Sequence, residues 1–282
     1  MMEFLLEFPA ILDTIFSFPF LRRAMLVGLL VSLCASLLGV NLVLKRYAMI
    51  GTSLSHVGFV AMVVSMALDF AHFTLTLPVV VLAAFALLRL NENSKVKGDS
   101  AVALISTSSL AIGFIIVTQT TGFDASVCMV MFGSVFAMTL ADVRLSVGLS
   151  IAVLVLFVLF YKQLFAVTYD ETFAKATGTK VGVYKTLLAL LTAVTVVLGM
   201  RMMGAMLITA LTIFPALTAM RLCKRYLSVI ITAAVISVLC FSVGMMLSVH
   251  YELPAGASVV AANLTVFLLF SAVALVKQGG RA

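Results

Sequence analysis

KRYAMIGTSLSHVGFVAMV, residues 45–63, opens with two adjacent cations and then turns apolar as far as Leu68. Inside that run stand Thr52, Ser53, Ser55 and a histidine, His56. A helix of about 20 apolar residues crosses a ~30 Å hydrocarbon core, so the stretch reads as a membrane span that begins at a basic edge. The same kind of run recurs on both sides of it along the whole chain. Of the 282 residues, 63% are hydrophobic and only 10% charged, with a mean hydropathy of +1.25. A soluble domain of this length needs far more charge to cover its surface. A β-barrel is excluded because its strands alternate over roughly 10 residues, whereas these runs are continuous. The fold class is therefore an all-α polytopic integral membrane protein.

Nine transmembrane helices are expected, near 24–44, 47–68, 73–90, 100–118, 143–161, 182–200, 202–222, 226–249 and 257–276. A further apolar piece, 126–140, is short for a crossing and reads as re-entrant or half-buried. No soluble domain interrupts the series, so residues 1–282 form a single transmembrane domain. Residues 1–20 carry Glu3, Glu7 and Asp13 without a basic leader, which suits an interfacial amphipathic segment better than a signal peptide. The four cysteines are scattered with no CxxC pair and read as small apolar fillers.

Charge supplies the orientation. With the N-terminus outside, 14 of the 18 basic residues fall on inner connections, and Arg22, Arg23, Arg144 and Arg201 remain outside. Seven of the 11 acidic residues fall outside: Glu3, Glu7, Asp13, Asp69, Asp124, Asp142 and Glu252. The positive-inside rule thus favours an outer N-terminus and a cytoplasmic C-terminus. The formal charge of +7 follows membrane sidedness, with lipid as its neighbour, and no nucleic-acid partner is expected.

The longest polar connection, residues 162–181, contains VTYDETFAKATGT. Thr168 and Glu171 have capping-box spacing, Asp170 and Glu171 suit the positive end of a helix dipole, and Gly178 suits a left-handed stop. A helix of about ten residues is expected between them, with Ala174 in its small apolar content. So short a helix is not stable alone. It is either an ordinary loop helix or one that docks on a cytoplasmic protein.

Within the second span Thr52, Ser55 and His56 share a face, and Gly51 with Ser55 forms a small-xxx-small pair that permits close helix approach. A buried imidazole in a bilayer faces a partner, a cavity or a pathway. It is also an acceptable ligand for zinc-class metals, manganese and iron. The alternative is a histidine satisfied by hydroxyls between helices. In the seventh span Pro215 is expected to kink the helix and free the Leu211 carbonyl, with Thr209 and Thr212 nearby. Met200, Met202, Met203 and Met206 suggest copper(I), but methionine is more often an apolar filler. There is no GxxxxGK[ST], so the chain does not bind nucleotide in the P-loop manner.

Three segments in order, KRYAMIGTSLSHVGFVAMV, YDETFAKATG and MMGAMLITALTIFPALTA, give the chain a resemblance to the zinc/manganese-type ABC transporter permease family. The likeness covers nearly the whole length. It implies a permease homodimer in a bacterial plasma membrane, with a translocation pathway on the twofold axis. It also implies two cytoplasmic ATP-binding subunits and an extracytoplasmic metal-binding protein. The chain itself would be no enzyme and would hold no permanent cofactor, only a transported divalent metal (zinc, manganese or iron). The resemblance places His56 in the pathway, Asp170, Glu171, Ala174 and Gly178 on the coupling helix, and Pro215 on the late proline-bearing helix. The family usually reads Gly-Asp-x-x-x-His, and here Thr52 replaces the aspartate. Another carboxylate or backbone carbonyls would then substitute, or the ion passes without a tight site, or the cargo differs. An ATP-independent secondary transporter or channel is the alternative, and an intramembrane enzyme lacks a catalytic partner for His56.

Overall fold

The computed structural model describes residues 17–68, 72–93, 98–120 and 140–279. Among these residues there are eleven α-helices. Nine are long: α1 (Pro19–Leu44), α2 (Ala48–Ala67), α3 (His72–Asn93), α4 (Gly98–Thr120), α5 (Leu140–Leu159), α8 (Val181–Met203), α9 (Ala205–Leu222), α10 (Tyr226–Tyr251) and α11 (Ala255–Gly279). Between α5 and α8 lie the short α6 (Tyr161–Tyr169) and α7 (Glu171–Ala176). Eight of the long helices are apolar enough over 18 residues to cross a membrane. The ninth, α3, concentrates its apolar character in Leu75–Leu87, yet its 22 residues still reach about 33 Å at ~1.5 Å per residue. Each expected span falls on one long helix. All but the last residue of the expected re-entrant segment 126–140, and the first sixteen residues of the interfacial segment, lie outside the described residues.

The helix ends show why the chain folds back where it does. Pro19 opens α1 at a position where a missing N–H costs nothing. At the other end Arg46 takes a left-handed φ of 60°, its N–H bonds Val43, and the Tyr47 N–H bonds the Leu42 carbonyl at 2.7 Å. These are the two bonds of a Schellman stop, built on arginine instead of glycine. The sharp reversal leaves Lys45 at the end of α1 and starts α2 almost at once.

Helix α1 occupies the centre and packs against α2, α5, α6, α8, α9 and α10. It is apolar on every side, as a helix surrounded by protein must be. The outer helices turn apolar stripes outward: Leu227, Ile231, Val235 and Leu239 on α10 recur every fourth residue and are exposed. Such a stripe belongs against acyl chains. Several buried hydroxyls bond their own helices, as Ser32 does to the Leu29 carbonyl and Thr192 to that of Leu188.

The approach of α1 to α9 is the closest one that matters for the site. A Cβ on Gly39 would run into the Thr212 backbone carbonyl, so only glycine lets these two helices meet there. Gly51 behaves differently from the small-xxx-small expectation: a Cβ there would meet nothing within 4 Å in this chain. No described helix of the same chain exploits that gap.

Candidate functional site

His56 lies nine residues into α2, and Thr52 lies one turn earlier on the same side. Both line a cavity of about 660 Å³ bounded by α2, α9 and α11. Helix α9 contributes Met206, Thr209, Ala210, Ile213 and Phe214 to its wall, and α11 contributes Gly256, Val260 and Leu264, among others. Ser55 is not in this lining. It is fully buried, and its hydroxyl donates to the Gly51 carbonyl at 2.9 Å within α2. The spacing that suggested one shared face thus separates in three dimensions: Thr52 and His56 face the cavity, and Ser55 faces packed protein.

The ring of His56 is held from behind. Its Nδ1 lies 2.7 Å from Oγ of Ser106 on α4. One turn away the buried Ser53 donates to the Val102 carbonyl at 2.8 Å. Two side-chain bonds therefore fasten α2 to α4 and fix its rotation, which leaves the far side of the imidazole toward the cavity. Sequence reasoning missed Ser106. The hydroxyl-rich ISTSS at 105–109, set in an apolar span, is the signal that marks it.

The donor set around the cavity is one imidazole, the hydroxyls of Thr52 and Thr209, and the thioether of Met206. Among the described residues no carboxylate lines it, and no group of three or more His, Cys, Asp or Glu is arranged to hold a metal. Of the acidic residues expected on the outer side, Asp69 and Asp124 lie outside the described residues. Asp142 is engaged by Arg201, with Oδ1 2.9 Å from the guanidinium. A sparse, neutral donor set can touch a cation in passing but does not make a storage site.

Pro215 is buried in α9, just past Ile213 and Phe214 of the cavity wall. The nearby threonines bond other carbonyls than the one proline frees: Thr212 donates to Ile208 at 2.8 Å and Thr209 to Met206 at 2.8 Å. The Gly39 contact falls on Thr212, three residues before the proline.

The second group of residues sits at one end of the bundle. Asp170, with an extended backbone, accepts from the N–H groups of Thr172 and Phe173 at 2.9 and 3.0 Å and so caps α7. This corrects the capping box expected from Thr168 and Glu171. Thr168 ends inside α6, and its hydroxyl donates instead to Oδ1 of Asn41 on α1 at 3.0 Å. The Glu171 carboxylate binds Nζ of Lys45 at 3.0 Å and of Lys185 at 2.7 Å. Helix α7 is consequently shorter than expected, six residues. Ala174 is its buried anchor, packed with Val167 and Val181. Gly178, at φ 81°, ends it with bonds from Gly178 N–H to Lys175 and from Thr179 N–H to Ala174, a complete Schellman stop.

Burial alone would raise the Glu171 carboxyl, but the hydrogen bonds from Lys185 and Lys45 outweigh it and hold the group below its ordinary range. Helix α8 carries Lys185 near its start and Arg201 near its end. The Glu171 cluster and the Asp142–Arg201 pair therefore mark opposite ends of the bundle, roughly 24 Å apart at ~1.5 Å per residue. Around α7, Tyr169 (80% exposed) and Phe173 (63% exposed) project outward. Exposed aromatics beside a capped, internally pinned helix suit a docking surface.

Comparison with known proteins supplies the context for both ends. The model of the ABC 3 transport family matches residues 17–274. The manganese transport system membrane protein MntC of Halalkalibacterium halodurans is 30% identical over 257 residues, covering 91% of this chain and 88% of that protein. The high-affinity zinc uptake system membrane protein ZnuB of Haemophilus influenzae is 29% identical over 253 residues, covering 89% and 97%. Among solved structures, PsaBC from Streptococcus pneumoniae in complex with Fab superposes with a TM-score of 0.83 at 27% identity, covering 93% of this chain and 95% of the other.

Proposed function

Because the chain belongs to the ABC 3 transport family, we propose that it is the membrane-spanning permease subunit of an ATP-driven importer of a divalent transition metal. Zinc, manganese and iron are the candidate cargoes. The relatives named for manganese and zinc transport match over nearly the full length of this chain. The alternative of an ATP-independent carrier has no comparable support, and no P-loop is present in the chain to make it the ATPase itself. Work is supplied by cytoplasmic ATP-binding subunits and cargo by an extracytoplasmic binding protein.

The observation that carries the site assignment is the pinned imidazole. His56 presents one nitrogen to Ser106 and its other side to a cavity wide enough to admit a partly hydrated ion. With Nδ1–H donating to the Ser106 oxygen, the Nε2 lone pair is free to meet a cation, the usual arrangement of a histidine ligand and its outer partner. Thr52 adds a hydroxyl one turn away. Such weak, few-ligand coordination lets the ion leave, which a transport pathway requires. A second permease copy would complete this pathway on a twofold axis. At the cytoplasmic end, α7 docks on the ATP-binding subunit through Phe173 and Tyr169. Asp170 caps that helix, and Glu171, Ala174 and Gly178 hold it in position. The outer N-terminus and inner C-terminus follow from the charge split.

ATP-driven uptake by the complex in liposomes tests this reading. The His56→Ala permease should assemble with its ATPase as the wild type does and lose metal uptake. Unchanged uptake removes His56 from the pathway, and gradient-driven uptake by the permease alone removes the importer reading altogether.

A further inference from the structure

The last turns of α1 carry an arrangement that the docking and pathway residues do not account for. Asn41 and Lys45 are four residues apart and share one face of the helix. From that face Asn41 accepts from the Thr168 hydroxyl at the end of α6, and Lys45 donates to the Glu171 carboxylate at the start of α7. One strip of α1 therefore grips the docking segment on both sides of its Asp170 junction.

Each grip reaches a further span. The same Asn41 oxygen accepts from the Tyr226 hydroxyl, at the start of α10, at 2.7 Å. Tyr226 also packs its ring on Phe165 of α6, with centroids 4.5 Å apart. The same Glu171 carboxylate is shared with Lys185 on α8. Asn41 is fully buried. A buried amide whose oxygen serves two hydroxyls fixes the relative position of three helices, because breaking either bond strands a polar group away from water.

Two residues before Asn41, Gly39 presses α1 against the α9 backbone at Thr212. Thr209, Ala210 and Ile213 of that same stretch face the cavity opposite His56. A rigid helix thus touches the docking segment at one place and the pathway wall at the other, with backbone contact at the second. No flexible side chain stands between them to absorb a displacement.

We infer that Asn41, with Lys45, Thr168 and Tyr226, is the positioning cluster that converts movement of the docking helix into movement of the pathway wall, through α1 and its Gly39 contact with α9. The inference rests on the importer reading. It adds a coupling element at residues other than those assigned above to the cargo and to the ATP-binding partner.

Thr168→Val with Tyr226→Phe removes both hydroxyls while leaving the aromatic packing of Tyr226 in place. The wild-type and double-variant permeases are each assembled with the ATP-binding subunit and the binding protein in liposomes. Radiolabelled zinc and manganese are offered in turn, and uptake and ATP hydrolysis are measured on the same preparation. The expected result is normal co-purification of the ATPase, continued hydrolysis, and about a tenfold loss of metal moved per ATP hydrolysed. Asn41→Leu should show the same loss. An unchanged ratio in both variants overturns the inference, as does a loss of co-purification, hydrolysis and uptake in equal proportion, which would make the cluster merely structural. Absence of ATP-driven uptake by the wild-type complex is a separate result that sinks the importer reading instead.

Discussion

Replacing Gly39 by alanine is the sharpest test of how the centre of this bundle is built. An ideal Cβ at position 39 overlaps the carbonyl oxygen of Thr212, and its neighbouring Thr212 backbone atoms are also too close. The obstacle is backbone, so no rotamer change relieves it. A methyl carbon and a carbonyl oxygen need about 3.3 Å, so α1 and α9 must separate or slide by roughly 1 Å. Overpacking of this kind costs ~1–3 kcal/mol, and a backbone obstacle belongs at the upper end. Against that, Gly→Ala inside a helix gains about 1 kcal/mol. The net expectation is a loss of ~2 kcal/mol, or about 4 °C in the melting midpoint at ~2 °C per kcal/mol for a chain of this size. Gly51→Ala is the matched control: it is also inside a helix but has open space. It should keep the propensity gain and melt about 2 °C higher. Thermal unfolding of the solubilised permease measures both. Since the Gly39 contact also sets the cavity wall, Gly39→Ala should depress uptake. If the two variants melt alike, the α1–α9 backbone contact is not where the structure puts it.

Ser106→Ala should leave the fold intact and weaken metal uptake at low metal concentration by about tenfold, the scale seen when a ligand's outer partner is lost. Ser106→Thr, which keeps the hydroxyl, should restore most of it. The check is the concentration dependence of uptake, and an unchanged half-saturation point would deny Ser106 any role in orienting His56. The Glu171 cluster makes a pH prediction with a definite sign. Its carboxyl titrates below the ordinary range in the folded chain, so its stabilising contribution is complete above the unfolded value. That contribution is lost as pH falls through the lower folded value. Stability between pH 7 and 6 should therefore be insensitive to this group. The acid limb of a melting-versus-pH curve should flatten in Glu171→Gln, and an identical acid limb in both proteins would refute the pairing.

How much of this was legible in the sequence follows from where each feature gets its energy. Spans are set by the cost of placing polar backbone in lipid, a local quantity, so the apolar runs located all nine long helices to within five residues at each end. His56 was legible for the same reason, as a titratable ring where none belongs cheaply. Its partner was not, because Ser106 lies fifty residues away and any hydroxyl of the fourth span would have looked equivalent. Ser55 shows the limit of helical spacing. Three residues on a wheel differ by up to 100° in direction, and a serine can retire from a shared face by bonding a carbonyl one turn back in its own helix, as Ser55 does to Gly51.

The capping box at 168–171 failed differently. Both of its side chains had stronger tertiary partners: Thr168 found Asn41 on α1, and Glu171 found two lysines. The neighbouring Asp170 capped the helix instead. A local motif predicts local bonding only while nothing distant outbids it. The basic residues were similarly read by sidedness alone, whereas Lys45 and Lys185 converge on one carboxylate from helices more than a hundred residues apart. Those long-range bonds tie α7 to the spans, and they depend on three-dimensional closure. The long-range bonds around α7 are therefore the part a single sequence conceals, while the part that sits in lipid is plainly written there.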